Sequence, residues 1–111
     1  MSDLFQAARE GQQDVFEAYA AENPTVKWDG LQDQGGNTVL ILAASTGKLH
    51  LVQWLHAQGA RLDAANNNGK IAVQIAFEGG HPNTTRGILE LHKQSGVAHP
   101  LSDADLEKLK K

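Results

Sequence analysis

The sequence predicts an all-α protein: a solenoid of three helix-turn-helix units that ends in a short C-terminal helix. The first observation is an internal repeat, since Gly36–Gly47 aligns with Gly69–Gly80 at an offset of 33 residues. A weaker copy, Ala7–Gly11, aligns with the residues 36 positions later. Apolar side chains recur at helical spacing in each unit, and no run alternates as a half-buried strand does. A repeat of this period is typical of solenoids, whose units bury their apolar faces by stacking.

The first unit is predicted to consist of two helices and a long connection. The connection, Pro24–Gln34, holds the three extra residues of this unit, because an insertion inside a helix would rotate its packed face. Trp28 lies in the connection, and we favour a lid packed on the first unit over an exposed anchor. The residues expected to face inward are Phe5, Ala8, Val15, Phe16 and Tyr19.

The middle unit carries the clearest helix signals. Thr38 is a suitable N-cap, and the following run, Val39–Ala44, is apolar on every side. An inner helix of this kind is buried on both flanks. Gly47 is expected to end it in the left-handed conformation. The outer helix is predicted over residues 49–58, with one apolar side formed by Leu51, Val52 and Leu55.

The third unit and the tail follow the same scheme. Asn66–Gly69 predicts a turn, and Pro82 is placed to open the outer helix. Ser102 is expected to cap a last helix that runs to Lys111, with Leu101, Leu106 and Leu109 covering the open end of the array. The predicted boundaries are 4–32, 33–65 and 66–95 for the three repeats and 96–111 for the C-terminal cap.

Composition excludes several functional classes. With 111 residues the chain suits one domain, and without cysteine it has neither disulfides nor thiolate sites. The net charge of -3 argues against a nucleic-acid binder, which normally needs a basic face. The longest apolar run is too short to span a bilayer. Because the N-terminus lacks the features of a signal peptide, we expect a cytoplasmic or nuclear location, with no role for nucleic acid or membrane.

Motifs for chemistry are incomplete or missing. Gly69-Lys70 lacks the upstream glycine and the following Ser or Thr of a phosphate-binding loop. No two of the five histidines have the i,i+4 spacing that places two metal ligands on one helix face. The carboxylates are scattered, so no catalytic pair can be selected. We therefore expect neither an enzyme nor a protein that holds a metal or a cofactor.

The middle unit resembles an ankyrin repeat. The resemblance rests on Asp33–Gly47, followed by Leu51-Val52, Leu55, Gly59-Ala60 and Asp63. In the third unit it rests on Gly69, Ala76, Gly80-His81, Ile88 and Leu89, and Leu4–Asn23 is similar to an N-terminal capping repeat. The Thr-Pro-Leu-His of the family is replaced by Thr38–Ile41 in the middle unit and by Ile71–Gln74 in the third. The Thr–His hydrogen bonding of the family is therefore not expected here.

The resemblance implies a non-catalytic module that binds another protein on a concave face. That face would comprise the connection tips and the exposed side of the inner helices, and we expect its side chains to be exposed. A monomeric adaptor or regulatory inhibitor is favoured. The alternatives are a ligand-binding or enzymatic protein with a pocket between repeats, and a homo-oligomerising structural subunit. The residues expected to bind the partner are Arg9, Glu10, Gln34, Asn37, Ser45, Thr46, Asn67, Asn68, Lys70 and Glu78.

Two substitutions test the predicted core. Ala43→Leu should overpack the inner helix where neighbouring repeats approach, at a cost of roughly 1–3 kcal/mol. Leu55→Ala should leave a cavity and cost about 2–5 kcal/mol. Urea denaturation of the two variants measures both changes. Wild-type stability in either variant would contradict the predicted placement of that residue.

Overall fold

Seven α-helices and one short 3-10 turn make up the regular structure of residues 3–109, the part of the chain that the computed structural model describes. Within that range the β-structure is limited to an isolated bridge between Gln32 and Thr38. The all-α prediction is thus confirmed. The 3-10 turn lies at Trp28–Gly30, and the helices are α1 Leu4–Glu10, α2 Gln13–Glu22, α3 Val39–Ser45, α4 Leu49–Ala57, α5 Ala72–Glu78, α6 Pro82–Ser95 and α7 Asp103–Lys108.

The helices are arranged as stacked pairs. The inner helices form one row in which α3 packs between α1 and α5, and the outer helix α4 packs against α6. Within each unit the inner helix contacts its own outer helix. None of the helices within residues 3–109 has both the length and the apolar character needed to cross a membrane.

The inner helix α3 begins and ends as the sequence predicts. The Thr38 hydroxyl accepts a hydrogen bond from the Ile41 backbone N–H at 3.2 Å, which satisfies one of the free donors of the first turn. Every residue of Val39–Ala44 is buried. Gly47 follows the helix with φ at 74°, a conformation that glycine adopts without steric cost.

Equivalent alanines are buried on the three inner helices, which pack against one another. Ala7, Ala43 and Ala76 occupy the same position in the three units, and at most 2% of each is exposed. A methyl side chain lets neighbouring backbones approach closely, whereas a longer one would hold the helices apart. The stack therefore depends on small residues at this position.

Trp28 fills the space between the first and second outer helices. It is 3% exposed, and its ring centre lies 5.8 Å from that of Phe16 and 5.9 Å from those of Tyr19 and Trp54. These separations are typical of favourable tilted aromatic contacts. The lid interpretation is confirmed, and the alternative of an exposed anchor is wrong.

The first unit is less buried than the sequence predicts. Ala8 and Phe16 are fully buried, but Phe5, Val15 and Tyr19 are only half-buried. The last three do face the core, as expected, but they are not fully covered. They remain partly open because the first unit has a neighbouring repeat on one side only.

The C-terminal segment contains a capped helix and three leucines that are buried or half-buried. The Ser102 hydroxyl accepts from the Asp105 backbone N–H, and the Asp105 carboxylate accepts from the Ser102 backbone N–H, which is a capping box. Leu109 is buried, whereas Leu101 and Leu106 are half-buried. The predicted helix is shorter than expected, since α7 ends at Lys108; Lys110 and Lys111 lie outside the described residues.

His92 is a buried imidazole beneath this segment. It is 1% exposed, its Nδ1 donates to the Val97 carbonyl at 2.9 Å, and its Nε2 has no partner among the described residues. Protonation would place a second N–H where no acceptor is available. Burial lowers the His92 pKa below its ordinary value, and repulsion from His99 and His56 lowers it further. The hydrogen bond to Val97 and the charge of Asp63 raise the pKa but do not offset this effect.

We predict that stability falls as the pH drops through about 6.5, the ordinary histidine pKa. Because the folded pKa is lower, the unfolded chain binds the proton first, and the loss continues until the pH passes below the folded pKa. Urea midpoints between pH 7.5 and 5 measure the effect. The variant His92→Leu should show a smaller fall of the urea midpoint with pH. The control His50→Gln, at an exposed position, should show the same fall as the wild type. An unchanged pH profile in His92→Leu would show that His92 has no part in it.

Candidate partner-binding surface

The structure brings the ten predicted partner-binding residues to neighbouring positions in the stack. Five lie at or just beyond the C-terminal ends of the inner helices, and five lie in the turns that precede α3 and α5. We call these ten residues the candidate surface. The first group is Arg9, Glu10, Ser45, Thr46 and Glu78, and the second is Gln34, Asn37, Asn67, Asn68 and Lys70.

Asp33 organises the turn before α3. One of its carboxylate oxygens accepts from the backbone N–H groups of Gly35 and Asn37 at 2.9 and 3.0 Å. The other accepts from the Asn37 side chain at 3.3 Å and lies 3.7 Å from the Arg9 guanidinium. Partial desolvation raises the Asp33 pKa, but the hydrogen bonds from Asn37 and Gly35, together with Arg9, outweigh it and hold the pKa below its ordinary value.

The turns before α3 and α5 are bonded directly to each other. The Asn66 side-chain amide donates to the side-chain oxygen Oδ1 of Asn37 at 2.9 Å. Asn67 donates from its backbone to the Gly35 carbonyl at 2.9 Å and from its side chain to the Gln34 carbonyl at 3.1 Å. These bonds join side chains and backbones about 30 residues apart in sequence, so each turn tip is fixed relative to the next.

Gly36 shows how closely the two turns approach. Its φ is +75°, and a Cβ built there would lie 2.9 Å from the Asn67 backbone nitrogen. A side chain is therefore excluded both by the backbone conformation and by the neighbouring turn.

A second set of bonds joins the ends of the inner helices. The Thr46 hydroxyl donates to the Arg9 carbonyl at 2.7 Å, which ties α3 to α1. His81 Nε2 donates to the Ser45 carbonyl at 3.1 Å, which ties the third unit to the second. His81 therefore has a structural role at the boundary between the second and third units.

Several residues of the candidate surface are less exposed to solvent than the sequence predicts. Asn37, Ser45, Thr46 and Lys70 are half-buried rather than exposed. The expectation of full exposure is wrong for them because Asn37 and Thr46 bond across repeats, and Ser45 donates to the carbonyl of Leu42 within its own helix. The hydrogen-bond partners of Asp33 could not be identified from the sequence, and Asn66 could be recognised only as a turn residue.

Other members of the surface face solvent. The side chains of Glu10, Gln34 and Asn68 are exposed and form no hydrogen bond or ion pair within residues 3–109. Lys70 and Glu78 form an ion pair at 2.8 Å. Because the Lys70 side chain is 38% exposed and the Glu78 side chain 51% exposed, this pair contributes little to stability and can open to meet a partner.

Groups suited to catalysis or metal binding do not converge at this surface. Within residues 3–109 no three His, Asp or Glu side chains come close enough together to hold a metal ion. The arrangement offers instead a row of polar groups of both signs on a rigid backbone. Such a row is suited to recognising another polar surface.

Comparisons with known proteins agree with the architecture. A family model described as ankyrin repeats, in three copies, matches residues 4–98. Alpha-latroinsectotoxin-Lt1a from Latrodectus tredecimguttatus is 32% identical over 90 residues, which are 81% of this chain and 6% of the toxin. The chain thus spans only a small part of that curated relative.

A solved structure has a similar fold. It is described as the Bd0816 predatory endopeptidase from Bdellovibrio bacteriovorus in complex with the immunity protein Bd3460. The TM-score is 0.71 at 24% identity, over 81% of this chain and 46% of that chain. The stacked helix pairs, the internal period and the family match lead to one conclusion: the chain belongs to the ankyrin repeat family.

Proposed function

We propose that the chain is a non-catalytic adaptor or regulatory inhibitor that binds another protein through the candidate surface. The observation that carries this proposal is the direct bonding of the turn tips, from Asn66 to Asn37 and from Asn67 to Gln34 and Gly35. Ankyrin repeats are generally protein–protein interaction modules, and the family is generally non-enzymatic.

Pre-organisation explains why fixed turns favour binding. Ordering a flexible loop on binding costs free energy, and a surface that is already ordered avoids most of that cost. Here the bonds that fix the turns are internal, so Glu10, Gln34 and Asn68 can meet a partner without breaking them.

The candidate surface carries charged side chains of both signs. Arg9 and Glu10 lie in the first unit, and the ion-paired Lys70 and Glu78 lie in the third, so each of these units carries both signs. A mixed pattern of this kind selects a partner of complementary pattern and disfavours partners with large patches of one sign. The similar fold in the complex of an endopeptidase with an immunity protein supports a role in partner binding.

The test changes exposed side chains that have no structural bond. The combined variant Glu10→Arg, Gln34→Arg and Asn68→Arg should fold normally, because all three positions are exposed. The amount of partner that it recovers should fall at least about tenfold, because bulky charges at the centre of an interface disrupt its main contacts. Affinity purification from native lysate, with quantitative mass spectrometry, measures the recovery.

A matched control carries the same change in charge on the outer helices. It combines Glu90→Arg with Gln53→Arg and Gln94→Arg, all exposed on α4 and α6. This variant should recover the partner as the wild type does. Loss of recovery in the control alone would place the binding site on the outer helices and reject the candidate surface.

A further inference from the structure

An apolar groove of about 790 Å³ lies on the first repeat, and all of its described lining residues belong to that repeat or cap its first helix. Its apolar side chains come from α1, α2 and the connection that follows them: Leu4, Phe5, Val15, Ala18, Tyr19 and Leu31. None of the groove residues belongs to the candidate surface. A contiguous apolar area that is left open commonly marks an interaction site.

The equivalent positions of the second repeat are covered. Phe5, Val15 and Tyr19 are half-buried, whereas their counterparts 36 residues later, Ile41, Leu51 and Leu55, are at most 1% exposed. In the second repeat α1 packs on α3, and Trp28 packs on Trp54. The groove is thus the repeat-stacking face of the first unit without the helical neighbour that such a face receives elsewhere in the chain.

The rim of the groove is acidic. Asp3, Asp14 and Glu22 line it, and no Lys or Arg is present among its described lining residues. Neither Asp14 nor Glu22 forms an ion pair within residues 3–109. A segment that fills the groove would therefore gain from positive charge beside its apolar side chains.

We propose that this groove docks an amphipathic helix of a partner protein that carries Lys or Arg beside its apolar stripe. The shape follows from the repeat, because the same face of the second unit receives helical structure, and the charge follows from the acidic rim. A second copy of this chain, bound face to face, would bring the same carboxylates against each other. The positive partner helix is therefore favoured over a symmetric dimer.

The probe is a synthetic alanine-based helix of about 16 residues, roughly 24 Å long. Leucines at i, i+3, i+4 and i+7 form its apolar stripe, and lysines flank the stripe. A second peptide has glutamates in place of the lysines. Fluorescence anisotropy at low salt should show at least about tenfold tighter binding of the lysine peptide, and amide shifts should change at residues 14–22. Equal binding of both peptides, or no binding of the lysine peptide, would overturn the proposal.

Variants of the full chain locate the contact. Ala18→Gln places an exposed polar amide in the groove, and Ala57→Gln makes the same change at an exposed position of α4. Glu22→Lys and Glu90→Lys are matched in charge, and only the first lies on the rim. We expect Ala18→Gln and Glu22→Lys to lower the affinity for the lysine peptide severalfold. The two control variants should bind it as the wild type does.

Light scattering tests whether a second copy of this chain, rather than a partner helix, covers the groove. The proposal requires a wild-type chain that is monomeric at the concentrations used for anisotropy. A dimer that dissociates in Ala18→Gln but persists in Ala57→Gln would show that a second copy covers the groove, and would overturn the proposal. Because the candidate surface shares none of these residues, failure here leaves the test of the proposed function intact.

Discussion

The close stacking of the inner helices is the constraint on which the rest of the structure depends. Ala7, Ala43 and Ala76 keep the contacts between α1, α3 and α5 narrow. At that spacing each turn tip reaches the next, so that Asn66 can bond to Asn37. A wider stack would separate these atoms, because a hydrogen bond between amide groups is lost beyond about 3.5 Å.

The two ends of the stack differ, and the difference has a physical cause. In the C-terminal segment Leu109 is buried, and the Arg86 guanidinium of α6 donates to its backbone carbonyl. At the N-terminal end Phe5 and Tyr19 remain partly open. Terminal repeats need a polar outer face when they meet only water. The polar turn tips and this apolar end therefore offer two surfaces of different chemistry on one small chain.

Features that depend on local sequence were predictable, and features that depend on distant contacts were not. The Thr38 cap and the turn at Asn66–Gly69 follow from neighbouring residues, and the structure confirms them. The half-burial of Asn37 and Thr46 comes from partners about 30 or more residues away. No single-sequence pattern encodes such pairings. The positions of the candidate surface could be carried over from the family, but their bonding required the fold.

Amide hydrogen exchange on the complex with the recovered partner tests the central claim most directly. If the fixed turn tips form the binding surface, the added protection will concentrate in residues 33–37 and 66–70 and at the ends of α1, α3 and α5. The outer helices α4 and α6 will exchange as they do in the free chain. Protection confined to α4 and α6, with unchanged exchange at the turns, would contradict the account.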